Sequence, residues 1–311
     1  MDSQKIDVEE LLDNEVVVSE SDDNNNKKSE HELTYKEDYV YIYSGKAMNE
    51  RELLSFSARN ELNMVMVAGA YESGKTTLIV MLYYLFREGK NKKVHFKSSN
   101  TMKGYWERGK SLLLNSGLSE PIIDRTPTEA TDLFLNLNVL DEEKKQRNMI
   151  FADLSGEIFQ TQDLTSDILD VFVDSKNVWL VLDGKKMSNV DTRRSTLHEF
   201  VVMIDNLIKY GYITQYTKVL LICTKMDVVK DKDSEQYIDK KIERVRKKFE
   251  NSVAEIKLYK VSAIKLDDDK ESEKLEQIII DSFEERHSQQ EYHDENKIEL
   301  SRKFDYYGLR I

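Results

Sequence analysis

A glycine-rich loop between an apolar run and a helical pattern constrains the fold of this chain more than any other feature. The loop extends from Gly69 to Thr77 with the order glycine, four residues, glycine, lysine, threonine. It follows the apolar run 64–68 and precedes the helical pattern 75–88. Such glycines let the backbone curl so that successive N–H groups point at phosphate oxygens, and the helix adds the positive end of its dipole. We therefore predict a loop that binds nucleotide phosphates.

The side chains of this loop have separate predicted tasks. Lys75 reaches the terminal phosphates, and the Thr76 hydroxyl is a predicted ligand of Mg²⁺. The other predicted nucleotide contacts in the loop are Gly69, Tyr71, Glu72, Ser73, Gly74 and Thr77. At average residue usage the pattern arises by chance in about one chain in a hundred of this length. The strand before the loop and the helix after it favour the functional interpretation.

The rest of the chain alternates short apolar runs with amphipathic helical patterns. Predicted strands lie at 39–43, 64–68, 94–97, 133–139, 149–152, 178–182, 219–223 and 256–261. Predicted helices lie at 48–59, 75–88, 102–114, 164–173, 193–210, 236–253 and 272–286. This alternation predicts an α/β, three-layer P-loop NTPase fold, in which a mostly parallel sheet has helices on both faces.

Composition and charge divide the chain into three predicted regions. Residues 1–37 are acidic and lack apolar periodicity, which predicts a disordered tail. Residues 38–288 form one predicted nucleotide-binding domain with a helical insertion around 98–131, and residues 289–311 form a C-terminal tail. The insertion is a candidate surface for a protein partner or for a homodimer. The alternative is that Tyr105, Trp106 and the leucines only pack the insertion onto the sheet.

The overall charge excludes some classes of partner. The formal net charge of −12 disfavours broad binding to nucleic acid or to anionic lipid, because both attract basic surfaces. The sequence contains no run of about 18 apolar residues, so no membrane span is predicted. The N-terminus lacks a signal-peptide pattern, and the single cysteine, Cys223, excludes an intramolecular disulfide. We therefore expect a cytoplasmic protein.

A second motif follows the predicted strand 149–152. Asp153 stands at the carboxyl end of this strand, where a carboxylate suits Mg²⁺ held through water. Gly156 allows a backbone N–H to approach the terminal phosphate. A strand-end aspartate with a turn glycine is common, so the phosphate loop upstream is what favours a metal site here.

Two further motifs predict which base is bound. Asp227, after the strand 219–223, can accept hydrogen bonds from guanine N1 and the exocyclic amine, whereas adenine offers no such donor pair. Lys225 can lay its stem along the base. Residues 262–264 (Ser262, Ala263 and Ile264) follow the strand 256–261, where a backbone N–H can contact the guanine carbonyl. GTP or GDP is therefore the predicted ligand, and an ATPase is disfavoured.

The order of these four motifs resembles that of Ras-like, translation-factor-related GTPases over about residues 62–286. The resemblance implies GTP hydrolysis with Mg²⁺. It also implies that Thr224 supports the phosphate loop, that Asp227 selects guanine and that Asp153 and Gly156 begin the second switch. Thr224 stands where the family more often has asparagine.

A finer resemblance is to bacterial double-GTPase domains. It rests on residues 74–78, 82, 83, 86, 96–101, 125–127, 153–157, 159 and 182–184. That family is associated with multi-gene conflict systems, in which a GTPase acts beside effector proteins. The resemblance therefore implies a role in antiviral defence.

Two parts of the catalytic machinery stay open at the level of sequence. The first-switch threonine that would bind Mg²⁺ is Thr126, Thr128 or Thr131, and we prefer Thr126 because the dipeptide with Arg125 resembles the double-GTPase pattern. Arg125 either stabilises developing phosphate charge or is a surface residue. Glu157 stands where many Ras-like proteins have a water-orienting glutamine. With Lys75, Gly156 and Arg125 it completes the predicted catalytic set.

Glu157 leaves two classes of function open. A carboxylate can orient water, but it places negative charge near the terminal phosphate, which predicts slow hydrolysis. One hypothesis is a switch that hydrolyses GTP, and the other is a GTP-binding scaffold with little hydrolysis.

Overall fold

The computed structural model describes residues 44–89, 91–112, 131–159, 171–172, 175–264 and 268–283. Both predicted tails, the predicted strand 39–43, most of the predicted helix 164–173, and Arg125, Thr126 and Thr128 lie outside the described residues. The predicted domain boundaries stay predictions.

A seven-stranded sheet with the order β2-β3-β4-β1-β5-β6-β7 forms the middle layer. Its strands are β1 (Asn63–Gly69), β2 (His95–Ser98), β3 (Phe134–Leu140), β4 (Gln146–Ala152), β5 (Asn177–Asp183), β6 (Lys218–Thr224) and β7 (Glu255–Lys260). The pairs β1–β4, β1–β5, β5–β6 and β6–β7 are parallel. The pairs β2–β3 and β3–β4 are antiparallel, which fits the short connection between β3 and β4.

Seven α-helices lie within the described residues. They are α1 (Glu50–Ser57), α2 (Lys75–Arg87), α3 (Met102–Gly109), α4 (Gly184–Ser188), α5 (Arg193–Lys209), α6 (Lys232–Phe249) and α7 (Asp269–Asp281). A 3₁₀ turn, Lys110–Leu112, continues α3, and three more cover Gly156–Phe159, Met226–Val228 and Glu250–Ser252.

The core lies on both faces of the sheet. Met66 and Ala68 of β1 pack with α1, α5 and α6 on one face, while Val65 and Val67 pack with α2 and α7 on the other. Side chains of a strand alternate between faces, and β1 is apolar at nearly every position because both faces are covered. The predicted three-layer α/β fold is confirmed. Among the described residues, no helix is long and apolar enough to cross a lipid bilayer.

The largest differences from the predicted elements have local causes. Helices α6 and α7 begin at Lys232 and Asp269, earlier than predicted, because Asp231 and Asp268 cap them through side-chain acceptors. The short helix α4 was not predicted, and it begins where the Asp183 carboxylate accepts the N–H of Lys186.

The described part of the insertion packs on helix α2. Tyr105 is fully buried, and its ring stacks on Tyr83 with a centroid distance of 4.5 Å. Trp106 on the same helix is 51% exposed. Tyr105 therefore packs the insertion onto the domain, as the alternative predicted, whereas half of the Trp106 side chain stays exposed.

The loop between α2 and β2 depends on one buried carboxylate. Glu276 of α7 is 3% exposed, and its Oε1 accepts the N–H groups of Lys92, Lys93 and Val94 at 2.9, 2.6 and 2.7 Å. Removal of this acceptor would leave the buried N–H of Val94 unsatisfied and would take the acceptor from the other two donors.

We predict that Glu276→Ala lowers the free energy of unfolding by about 3 kcal/mol, because the three donors lose their acceptor. Urea denaturation followed by circular dichroism measures the change. Glu273→Ala is the control, since Glu273 lies on the same helix in an exposed pair with Lys92 and should change stability little. Equal losses for the two variants would contradict the assignment.

Candidate nucleotide site

The carboxyl ends of β1, β5 and β6 open into a cavity of about 840 Å³. β1 lies between β4 and β5, so the chain crosses from β1 to strands on both of its sides, and open α/β sheets bind ligands at such a point. The cavity volume lies within the range typical of small-molecule sites. The lining residues are Tyr71, Glu72, Ser73, Gly74, Lys75, Thr76, Thr77, Leu112, Leu154, Ser155, Gly156, Asp183, Lys185, Lys186, Asn189, Thr192, Thr224, Lys225, Asp227, Val228, Ala263 and Ile264.

Most of the predicted site residues are brought together in this cavity. Of the predicted nucleotide, metal and catalytic residues that the structure describes, four are not among the lining residues: Gly69, Asp153, Glu157 and Ser262. Thr131, the described threonine among the first-switch candidates, is exposed, and its hydroxyl donates to the carboxylate of Asp132 at 3.3 Å.

The phosphate loop is held in its curled form by backbone conformation and by Lys75. Glu72 and Gly74 adopt positive φ angles of 61° and 91°. The Lys75 ammonium donates to the carbonyl oxygens of Gly69 and Ala70 at 2.9 and 3.1 Å. Burial lowers the pKa of Lys75 to about 8, while the nearby Asp153 carboxylate acts in the opposite direction. The loop therefore holds a buried cation at the predicted phosphate position.

Thr76 and Asp153 meet at the predicted metal position. The Thr76 hydroxyl donates to Asp153 Oδ1 at 2.7 Å, and Asp153 is fully buried. A hydroxyl and a carboxylate are hard oxygen donors of the kind that Mg²⁺ prefers, so these residues fit the ion. In the described part of the chain, no group of three His, Cys, Asp or Glu side chains could hold a metal. A cation here would therefore need further ligands beyond these two side chains, such as phosphate oxygens and water.

The second switch approaches the phosphate loop closely. A Cβ at Gly156 would lie 2.4 Å from the backbone nitrogen of Tyr71, so only glycine fits there. The following residue, Glu157, is half-buried in the turn Gly156–Phe159, and its N–H donates to Ser155 Oγ at 3.4 Å.

The base end of the cavity is tied to the phosphate loop by two residues of the third motif. The Thr224 hydroxyl donates to the carbonyl oxygen of Ser73 at 2.6 Å. The Lys225 ammonium donates to the carbonyl oxygen of Glu72 at 2.5 Å and to Asp183 Oδ2 at 2.8 Å. Asp227 lies on the next turn and lines the cavity.

Two acidic residues support the base end of the cavity. The sequence predicted a role for neither of them. Asp183 is 2% exposed and pairs with Lys225. Glu271, in the first turn of α7, accepts the N–H of Ser262 at 2.7 Å and thereby fixes the loop before Ala263. The strand-end position of Asp183 is a usable sequence signal, whereas nothing near Glu271 distinguishes it from other helical acids.

A family model for Double-GTPase 2 matches residues 63–284, which is more than half of the chain. The chain belongs to the Double-GTPase 2 family. The matched range includes the whole sheet and all four motifs of this cavity, so the finer resemblance is confirmed. This chain is thus a P-loop protein of a GTPase family. Among curated proteins, none matches it.

Several solved GTPase structures are similar to this Double-GTPase 2 chain. The SRb-GTP/SRX complex of the signal recognition particle receptor from Chaetomium thermophilum has 16% identity over 66% of this chain and 92% of its own, with a TM-score of 0.37. The S. cerevisiae Ski7 GTPase-like domain bound to GTP has 21% identity over 68% of this chain and 45% of its own, with a TM-score of 0.40. A bacterial selenocysteine-specific elongation factor, EF-Sec, has 13% identity over 72% and 30%, with a TM-score of 0.35. The chain spans less than half of the Ski7 and EF-Sec chains.

The depressed pKa of Lys75 predicts a pH-dependent stability of the nucleotide-free protein. Between about pH 8 and 10.5 the unfolded chain still binds the proton that the folded chain has released, so the free energy of unfolding rises with pH in this window. Lys75→Met removes the titrating group. From pH 7 to 10 the wild type should gain roughly 2 kcal/mol relative to this variant.

Urea denaturation of both proteins at a series of pH values measures this difference, and other titrating groups cancel because both proteins contain them. Parallel stability curves for the two proteins would show that Lys75 has an ordinary pKa in the folded chain.

Proposed function

We propose that this protein binds GTP with Mg²⁺, hydrolyses it to GDP and phosphate, and acts as a molecular switch. The observation that supports this most is that one cavity has the phosphate loop at one end and Asp227 at the other. Lys225 connects the two ends through Glu72 and Asp183. Membership in the Double-GTPase 2 family supports the same function.

Each described residue has a task in this proposal. Lys75 exchanges its carbonyl acceptors for phosphate oxygens, and Asp227 accepts the N1 and exocyclic amine protons of guanine. Thr76 and Asp153 hold Mg²⁺, together with Thr126 as the first-switch ligand. Bound Mg²⁺ would neutralise charge that develops on the phosphate oxygens.

Hydrolysis in this proposal is an attack of water on the terminal phosphorus. The bond from that phosphorus to the bridging oxygen breaks, and GDP, inorganic phosphate and a proton are released. The N–H groups of the phosphate loop and Gly156 orient the terminal phosphate, and Glu157 orients the water. The Glu157 carboxylate repels the terminal phosphate, so the reaction is slow in the absence of a partner.

The second candidate function is a GTP-binding scaffold with little intrinsic hydrolysis. The observation that favours it is Glu157 in place of a glutamine, at the residue after Gly156. In both versions a protein partner or a second copy of the chain reads the nucleotide state. The family resemblance supports a place in a cytoplasmic defence system.

We predict that Asp227→Asn weakens binding of a fluorescent guanine nucleotide at least about a hundredfold, because a carboxylate that accepts two hydrogen bonds becomes an amide with a donor facing the base. Fluorescence titration with Mg²⁺ measures the affinity, and competition with GTP, GDP and ATP measures selectivity. Asp233→Asn is the matched control, since Asp233 is exposed in the first turn of α6.

If a well-folded wild type binds no guanine nucleotide, the proposed function is wrong. If the wild type binds and Asp227→Asn binds equally well, Asp227 does not select the base.

We predict that the wild type alone releases phosphate at a rate on the order of 10⁻³ s⁻¹, and that Glu157→Gln raises this rate several-fold. The amide can orient water without adding negative charge. Single-turnover phosphate release measures both rates. A wild type that turns over at tens per second would contradict slow hydrolysis, and undetectable release from both proteins would favour the scaffold.

A further inference from the structure

Arg108, near the end of α3, points its guanidinium at the carboxylate of the predicted metal site. Its Nε donates to Asp153 Oδ2 at 2.8 Å, its Nη2 donates to the carbonyl oxygen of Asp132 at 2.6 Å, and its Nη1 donates to that of Gly104 at 3.4 Å. The Arg108 side chain is 17% exposed and that of Asp153 is fully buried. This is a buried ion pair rather than a surface contact.

The helix that presents Arg108 is fixed on the domain. Tyr105 stacks on Tyr83 of α2, and Gly109 lets α3 approach Val80 and Tyr84, since a Cβ there would lie 2.5 Å from the Val80 side chain. Arg108 therefore reaches Asp153 from a packed helix. A side chain held by three acceptors on a packed helix is suited to fixing the orientation of its partner.

The two oxygens of Asp153 have different partners. Oδ1 accepts the hydroxyl of Thr76, which is the side where the predicted Mg²⁺ would bind. Oδ2 accepts Arg108 on the other side. Carboxylates at metal sites are themselves held by outer hydrogen-bond donors, and loss of such a donor costs 10- to 100-fold in metal affinity.

We propose that Arg108 is a positioning residue for Asp153, which holds this carboxylate in the orientation that Mg²⁺ requires. The inference rests on the proposed function and adds a residue that lies outside the four nucleotide motifs. It makes helix α3 part of the metal site, because Arg108 contacts both the Asp153 carboxylate and the carbonyl oxygen of Asp132. Among the described residues, the arginine that pairs with the Asp153 carboxylate is Arg108, which lies outside the switch motifs.

The test is the magnesium dependence of GDP release. A fluorescent GDP is bound to the full chain, and its dissociation rate is measured over a series of Mg²⁺ concentrations. For Arg108→Gln, the Mg²⁺ concentration that gives half-maximal slowing of release should rise 10- to 100-fold. Arg108→Lys should recover part of this loss, because it keeps the charge but not the planar set of donors.

Lys103→Gln is the matched control. Lys103 lies on the same helix, loses the same charge, and is 53% exposed in a pair with Glu107. Its magnesium dependence should equal that of the wild type. Circular dichroism melting of each variant shows whether α3 and the domain stay folded, and Arg108→Lys decides the test if Arg108→Gln does not fold.

An unchanged magnesium dependence in Arg108→Gln overturns the inference while leaving GTP binding intact. Tighter Mg²⁺ binding by this variant also overturns it, because Arg108 would then compete with the ion. If Lys103→Gln shifts the magnesium dependence as much as Arg108→Gln does, the effect comes from the loss of positive charge on α3, and the positioning role is overturned. If the wild type binds no GDP at any Mg²⁺ concentration, the proposed function itself fails, and the inference fails with it.

Discussion

Burial of charge at the carboxyl edge of the sheet is the constraint on which the rest of this site depends. Lys75, Asp153 and Asp183 are each less than a tenth exposed. Buried charges need partners, because desolvation of an unpaired ion costs several kcal/mol or more. The two aspartates have cationic partners in Arg108 and Lys225, whereas Lys75 donates to carbonyl oxygens of its own loop. Asp153 and Asp183 thus have ion-pair partners, whereas the nearby Asp153 carboxylate offsets only part of the cost of burying the Lys75 ammonium.

The partners of these charges come from distant parts of the chain because the sheet is mostly parallel. Parallel strands end at the same edge, so Asp153 of the β4 end, Asp183 of the β5 end and Lys225 after β6 become neighbours of one loop. Between β5 and β6, helices α4 and α5 return the chain to the opposite edge. The same topology that covers both faces of β1 with helices therefore gathers polar groups at one end of an apolar layer.

Sequence reasoning identified the fold and most of the residues that line the cavity, because both leave local patterns. Apolar runs of four to seven residues mark strands, and the phosphate loop has fixed spacing. The supporting residues leave no such pattern. Arg108 and Asp153 are 45 positions apart, and Lys225 and Asp183 are 42 positions apart. Glu271 acts on Ser262 from only nine positions away, yet any helical acid in that turn has the same local sequence.

The burial of Lys75 makes the empty site costly for the folded chain and favourable for an anionic ligand. Burial disfavours the charged ammonium, as its lowered pKa records. A triphosphate would bring negative charge to the same position, and the charged form of Lys75 would then be favoured. Part of the binding free energy thus comes from relieving a cost that folding had imposed. By linkage, a ligand that binds only the folded chain also stabilises it. The stability of the domain and its affinity for phosphate are therefore coupled through this one buried lysine.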